Sequence, residues 1–219
     1  MLTVVYVVFA AAHTALAIWA LRLYRRRPSA GALVLMLPLF ALVWDNGTVA
    51  VGSLVGEGAL LQALTYPRFV GHAFLTPIWI VTAVAFATRV GAQGSRAALL
   101  SRGSWALYGL MVTLGVADAL VLLRLEPARQ ADVLYYTNVG GLPGPPVPAI
   151  IMVLVTIACG ALLFRAIRWP WMLAGAVFML VTAAIPTDLV GFVVSNSGEV
   201  VLGMALVLTE RRLQAIDAA

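Results

Sequence analysis

Lysine is absent from the chain. All 14 basic residues are arginines, so a retinal Schiff base and other lysine-based covalent chemistry are excluded. Cysteine occurs once, at Cys159, which excludes an intramolecular disulfide and a cysteine metal cage. Charge is scarce, at 11% of 219 residues against about 25% in a soluble domain. The two histidines, His13 and His72, and the scattered acids lack the compact spacing of a metal site, so no metal is expected. Neither a Gly-x-Ser-x-Gly nucleophile turn nor a phosphate-binding glycine loop is present. An Asp-x-x-Asp-Asp run of the kind that chelates magnesium diphosphate is missing as well.

Hydrophobic residues are abundant, at 63%, and the mean hydropathy is +1.00. That composition describes a polytopic membrane protein, with ~20 apolar residues per crossing. Seven apolar runs are legible: 2–24, 31–54, 69–90, 104–124, 147–166, 170–187 and 190–209. Breakers separate them at Pro28-Ser29, Gly56-Glu57-Gly58, 91–102, 143–148 and Trp169-Pro170. A very tight turn around Pro186-Thr187-Asp188 is expected to join the last two as an antiparallel hairpin, with Asp188 capping the seventh span. Residues 1–219 read as one all-α membrane domain of seven transmembrane helices. The first run lacks a basic flank before it and a small-residue cleavage site after it, so it is expected to be a retained helix.

A net charge of +5 and a pI near 10 would point to nucleic acid in a soluble protein. Here the arginines sit in loops, so the bilayer is the expected partner and nucleic acid is not. Arg22, Arg25, Arg26, Arg27, Arg89, Arg96, Arg102, Arg165, Arg168, Arg211 and Arg212 fall on one side of a seven-span arrangement. Only Arg68, Arg124 and Arg129 fall on the other. Eleven against three places the N-terminus outside and the C-terminus in the cytoplasm of a multi-pass cell-membrane protein. An error in the span count would scramble that asymmetry.

An ionisable group inside the hydrocarbon costs ~2.5–3.5 kcal/mol on insertion scales and is a functional candidate by default. Asp45, His72, Asp118, Glu199 and His13 qualify. Asp45 lies ~20 Å from the inner end of span two, and Glu199 lies ~14 Å from the outer end of span seven. Asp118 sits at a similar height, with His72, Arg68 and Asp188 nearer the outer rim. The acids thus share the middle and outer membrane, over an almost purely apolar cytoplasmic half. One outward-opening cavity would collect them.

Helical spacing supports convergence. Phe192, Asn196, Glu199 and Gly203 share a face, as do Tyr108, Met111, Gly115 and Asp118. Arg68, His72, Thr76 and Trp79 form a third stripe, and Asp45 shares its face with Thr48, Val49 and Gly52. Simpler roles exist for some of these groups. Asp118 could pair with Arg124, Arg68 and His72 could anchor at the interface, and His13 could be a hydrogen-bonded packing residue.

A carboxyl kept neutral can act as a Brønsted acid. Aromatic faces stabilise a carbocation, and dry walls keep water from quenching it. Trp44, Phe74, Trp79, Trp105, Tyr108 and Phe192 supply aromatic rings at about the right height. Acid, aromatics and an apolar cavity together point to protonation-initiated cyclisation of a prenyl chain.

With Trp44-Asp45-Asn46 early and Ser195-Asn196-Ser197-Gly198-Glu199 late, the chain resembles a known family over its whole length. This is the small seven-span membrane terpene cyclases of fungal meroterpenoid and indole diterpene pathways, with actinobacterial counterparts of the drimentine type. The lysine-free, alanine- and arginine-rich composition is similar to that of high-GC actinobacteria. Fungal members tend to carry Glu early and Asp late, the reverse of this order, so the resemblance leaves open which acid initiates. It implies a metal-independent, cofactor-free isomerase or lyase acting on a farnesylated or otherwise prenylated small molecule of indole or diketopiperazine type. Asp45, Glu199 and Asp118 would be the catalytic acids. Trp44, Asn46, Arg68, His72, Trp79, Tyr108, Phe192 and Asn196 would bind substrate, with Asn46 and Asn196 orienting the acids. The rival reading is a small proton-coupled transporter using the same intramembrane acids. Against it, inverted repeats and broken helices are not evident in the sequence.

Overall fold

The computed structural model describes residues 1–91, 94–143, 146–186 and 191–218. The described helices are α1 (Leu2–Arg26), α2 (Ala30–Val55), α3 (Ala59–Phe74), α4 (Trp79–Gly91), α5 (Gly94–Val116), α6 (Val147–Ile167), α7 (Trp171–Ala183) and α8 (Val193–Ile216). Among the described residues, six continuous runs are long and apolar enough to cross a membrane, counting α3 with α4 as one. The sequence predicts seven crossings; α7 is apolar but only 13 residues long.

Local chemistry sets several boundaries. Pro28 ends the first helical pattern, and the Ser29 hydroxyl caps α2 by accepting from the Ala32 N–H at 3.0 Å. Gly58, at φ 144°, precedes α3 in a backbone conformation that suits glycine. The third helix therefore starts ten residues before the expected 69. Pro77 has no N–H to donate, and Thr76–Ile78 tighten into a 3-10 turn between α3 and α4. The fourth run starts at Gly94 rather than 104 and ends in a π turn at Ala117–Val121. Residues that read as loop between the third and fourth runs are thus largely helical.

The helices close into a ring. α1 packs on α2, α2 on α4, α4 on α6, α6 on α7, α7 on α8 and α8 back on α1, with α5 outside against α3 and α4. Leu35, Leu39, Trp79, Phe86, Met172 and Leu202 fill the centre. α7 and α8 run antiparallel, since Gly175 faces Ala205 while Gly198 faces Met179 and Thr182. Among the described residues the first of these helices ends at Ala183 and the second begins at Val193, and the tight turn expected around Pro186-Thr187-Asp188 falls largely outside the described residues. Asp188, expected to cap that helix, lies outside the described residues.

The all-α class fits, but two features fall outside that expectation. A β-hairpin, β1 (Leu125–Gln130) and β2 (Val133–Asn138), pairs antiparallel and lies over the C-terminal end of α2 and the N-terminal end of α3. Val133, Leu134 and Tyr136 are buried there, and Gly52 is a glycine because the Leu134 carbonyl occupies the space of a side chain. In the turn, Asp132 accepts from the Leu2 N–H at 2.7 Å and from Thr3 at 3.3 Å, and it pairs with the amino group of Met1. That ammonium and the free N–H groups of the helix start hold the Asp132 carboxyl below the usual carboxylate range.

At the opposite end, Glu210 is fully buried, because α8 continues past 209 to Ile216. Its carboxylate accepts from Arg89 Nη1 at 2.6 Å, Gln214 Nε2 at 2.8 Å and the Ser29 hydroxyl at 3.3 Å. Gln214 also donates to the Leu23 and Arg27 carbonyls. This polar knot gathers the arginine-bearing ends of α1, α4 and α8.

Close helix contact makes a test. A Cβ on Gly160 would stand 2.7 Å from the Leu173 nitrogen and 2.8 Å from its Cα, and backbone cannot move aside cheaply. Gly109 on α5 has nothing within 4 Å. Gly160→Val is expected to destabilise by ~1–3 kcal/mol through overpacking. Gly109→Ala is expected to leave stability unchanged or raise it by up to ~1 kcal/mol. Unfolding of both variants in detergent measures the difference.

Candidate functional site

Under the hairpin lies a cavity of about 560 Å³. Asp45 from α2, Arg68 and His72 from α3, Asp118 from the π turn, and Asn196 and Glu199 from α8 all line it. Four groups of ionisable residues, distant in sequence, therefore meet in one space. Thr76, Gly115 and Phe192 line it too, as their helical stripes predict.

Asp45 is 3% exposed and ion-paired: Arg68 Nε donates to its Oδ1 at 2.5 Å, and His72 Nε2 lies 3.7 Å from the same oxygen. Arg68 also reaches the Tyr136 carbonyl of β2 at 3.4 Å. His72 approaches the Thr76 hydroxyl through Nδ1, at 3.4 Å. Arg68 and His72 are thus neighbours of Asp45 inside the cavity, not interfacial anchors apart from it. Glu199 differs from Asp45. It has no ion pair among the described residues, and its Oε2 is buried without a hydrogen-bond partner.

Asp118 has another task. Its Oδ1 accepts from the Leu142 N–H at 2.6 Å, and its own carbonyl accepts from Asn138 Nδ2 at 3.3 Å. It holds the segment after β2 against the π turn, and it makes no ion pair with Arg124 among the described residues. Asn46 and Asn196 bond to each other, Asn196 Nδ2 donating to Asn46 Oδ1 at 3.0 Å, while Asn46 Nδ2 donates to the Leu42 carbonyl at 2.9 Å. They join α2 to α8, so the expectation that they orient the acids is replaced by a helix-to-helix clamp.

Three expected aromatics stand away from the cavity. Trp44 is 46% exposed and donates to the Leu64 carbonyl, tying α2 to α3. Trp79 is in the core, donating to Leu35; the 3-10 turn advances ~120° per residue against ~100° in an α-helix, which takes it off the Arg68 stripe. Tyr108 packs beside Val34, Ile78 and Val81, edge-on to Trp105. The rings that do line the cavity are Phe192, Phe69 and Tyr136, with Tyr135 edge-on to Phe192 at 5.8 Å. Phe69 and Tyr136 escape a reading by helical stripes. The hairpin that carries Tyr136 does have a sequence signal: Val133-Leu-Tyr-Tyr-Thr-Asn is rich in strand formers, after a two-residue turn at Ala131-Asp132. Among the described residues no three His, Cys, Asp or Glu side chains are grouped as metal ligands.

The ion pair predicts a stability pattern. Removing one partner of a buried pair strands the other and costs ~3–5 kcal/mol, whereas removing both costs far less. Arg68→Gln is therefore expected to destabilise strongly, and adding Asp45→Asn to restore much of the loss. Thermal unfolding of the two single variants and the double variant gives the coupling; additive effects would mean that the two residues act separately.

No protein-family model matches the chain, and no curated protein sequence is significantly similar to it.

Proposed function

We propose that this protein is a seven-helix enzyme of the cell membrane, N-terminus outside, that cyclises a prenyl chain by protonation. The supporting observation is the division between two acids in one cavity. Asp45 is held as the anionic partner of Arg68, whereas among the described residues Glu199 has no ion pair and one partnerless oxygen. An acid engaged with arginine is poorly suited to give up a proton, so Glu199 is the initiating acid in this reading.

The step balances simply. The Glu199 O–H proton bonds to one carbon of the terminal alkene, whose π pair forms the new C–H bond. The adjacent carbon becomes cationic and Glu199 becomes a carboxylate. The next alkene attacks the cation and closes a ring. A final C–H proton returns to the Glu199 carboxylate, directly or by way of His72, regenerating an alkene and the initiating acid and making the reaction a net isomerisation. The Phe69, Tyr136 and Phe192 rings line the path the cation takes, where a desolvated cation–π contact is worth ~2 kcal/mol. An indole or diketopiperazine head on a farnesyl chain is the substrate class that the sequence resemblance implies.

The transporter reading needs a polar route to the far end of the bundle. Beneath the cavity the core is Leu39, Trp79, Met172 and Leu202, each almost fully buried, and the arginine end is tied by Glu210. That arrangement favours chemistry in a closed-bottomed cavity.

Topology is testable with reporter fusions after Arg27, after Gly94 and at the C-terminus. All three are expected to report cytoplasm, and one translocated reporter would overturn the seven-crossing arrangement.

Glu199→Gln is expected to abolish product formation while membrane insertion is retained, a loss beyond the ~10²–10⁴-fold of ordinary acid–base assistance, since no later step starts without the proton. Phe192→Ala is expected to lower turnover up to about thirtyfold and to release partly cyclised products. Product mass and NMR spectra from membranes given farnesylated indoles decide the matter. Near-normal turnover by Glu199→Gln, or unchanged substrate with the wild-type protein across a broad prenylated panel, would defeat the cyclase reading.

A further inference from the structure

Behind Glu199, on the side away from the cavity lining, α1 packs against α8. The two helices run parallel here. A side chain at Gly203 would meet Leu16 at 3.4 Å, and one turn earlier on each helix stand His13 and Glu199. His13 is fully buried. Its Nδ1 lies 2.9 Å from the Phe9 carbonyl, and a carbonyl oxygen only accepts, so Nδ1 carries the hydrogen. Nε2 is then a bare lone pair, and it is buried with no donor to satisfy it. The Glu199 Oε2 is likewise buried and unpartnered. The Glu199 backbone and the Asp45 charge are near enough to act on His13. Two orphaned polar atoms of complementary character on one interface are rare in a packed interior.

We infer that His13 and Glu199 form one proton-sharing couple, the Glu199 carboxyl O–H donating to His13 Nε2 directly or across one water molecule. This rests on Glu199 being the acid of the proposed reaction, and it assigns that acid a resting station. With the cavity empty, the proton is held on the His13 side, away from Asp45, Arg68 and His72. A substrate chain in the cavity draws the carboxyl round to face it. No net proton is gained or lost in that turn. His13 is thus a positioning residue acting through Glu199. The titratable and charged groups surrounding the couple are Asp45 on α2, Arg68 and His72 on α3, and Tyr6, two turns earlier on α1.

Infrared difference spectroscopy of the membrane-embedded protein without substrate tests the couple independently of catalysis. The carboxylic C=O band of Glu199 is the one lost in Glu199→Gln. In His13→Phe it is expected to move to higher frequency, as the O–H loses its acceptor, and in His13→Gln to return toward the wild-type position. With two histidines in the chain, ¹⁵N labelling gives a second measurement on the unsubstituted protein. The His13 Nε2 resonance is expected at the position of a hydrogen-bond acceptor, and to shift in Glu199→Gln. A Glu199 band unmoved by His13→Phe, together with an Nε2 resonance indifferent to Glu199→Gln, would overturn the couple while leaving the cyclase reading intact. A shifted band in a protein that cyclises nothing would uphold the couple and remove the cyclase. Absence of any Glu199 carboxylic band would overturn both.

Discussion

The Asp45–Arg68 ion pair is the constraint around which the cavity end of this molecule is organised. Either charge alone in so apolar a setting would be prohibitively costly, and together they are tolerable only if held in close register. That register requires α2 and α3 to meet at one height, which the Trp44 and Thr48 bonds to the Leu64 carbonyl reinforce. It also draws in β2, whose Tyr136 carbonyl takes a further donor of the same guanidinium. Helix, helix and hairpin are therefore fixed by one pair of charges.

The cavity persists because its walls are pinned from several directions. Asp132 ties the hairpin turn to the start of α1, and Asp118 ties the segment after β2 to the π turn of α5. The Asn46–Asn196 clamp sets the spacing between α2 and α8 close to both deep acids. Each polar group satisfied in this way is lost as a candidate for chemistry. Among the described residues, Glu199 and His13 are the titratable groups with a buried side-chain atom that has no hydrogen-bond partner. At the far end the same logic applies to Glu210, which is surrounded by donors from Arg89, Gln214 and Ser29.

Much of this was legible in the residues. Hydropathy defines the helical runs because every backbone group in a bilayer must be satisfied within its own helix. Intramembrane acids are conspicuous because they are expensive, and the three-and-four spacing that aligned Phe192, Asn196 and Glu199 holds along this stretch of α8. The spacing failed at Trp79, where Pro77 breaks the phase, and at Phe69 and Tyr136, which reach the cavity outside the stripes traced from sequence.

Sequence by itself determined the helical, apolar character and the identity of the deep acids that line the cavity. These follow from composition and period, which are local properties of the chain. Tertiary structure alone decided which polar groups are partners: Arg68 with Asp45, Asn46 with Asn196, Asp118 with Leu142, Asp132 with the start of α1, Glu210 with Arg89. All five pairs are separated by more than twenty residues, the nearest by 23. Period along a helix says which side a residue faces, but the partner it meets there depends on how the helices pack.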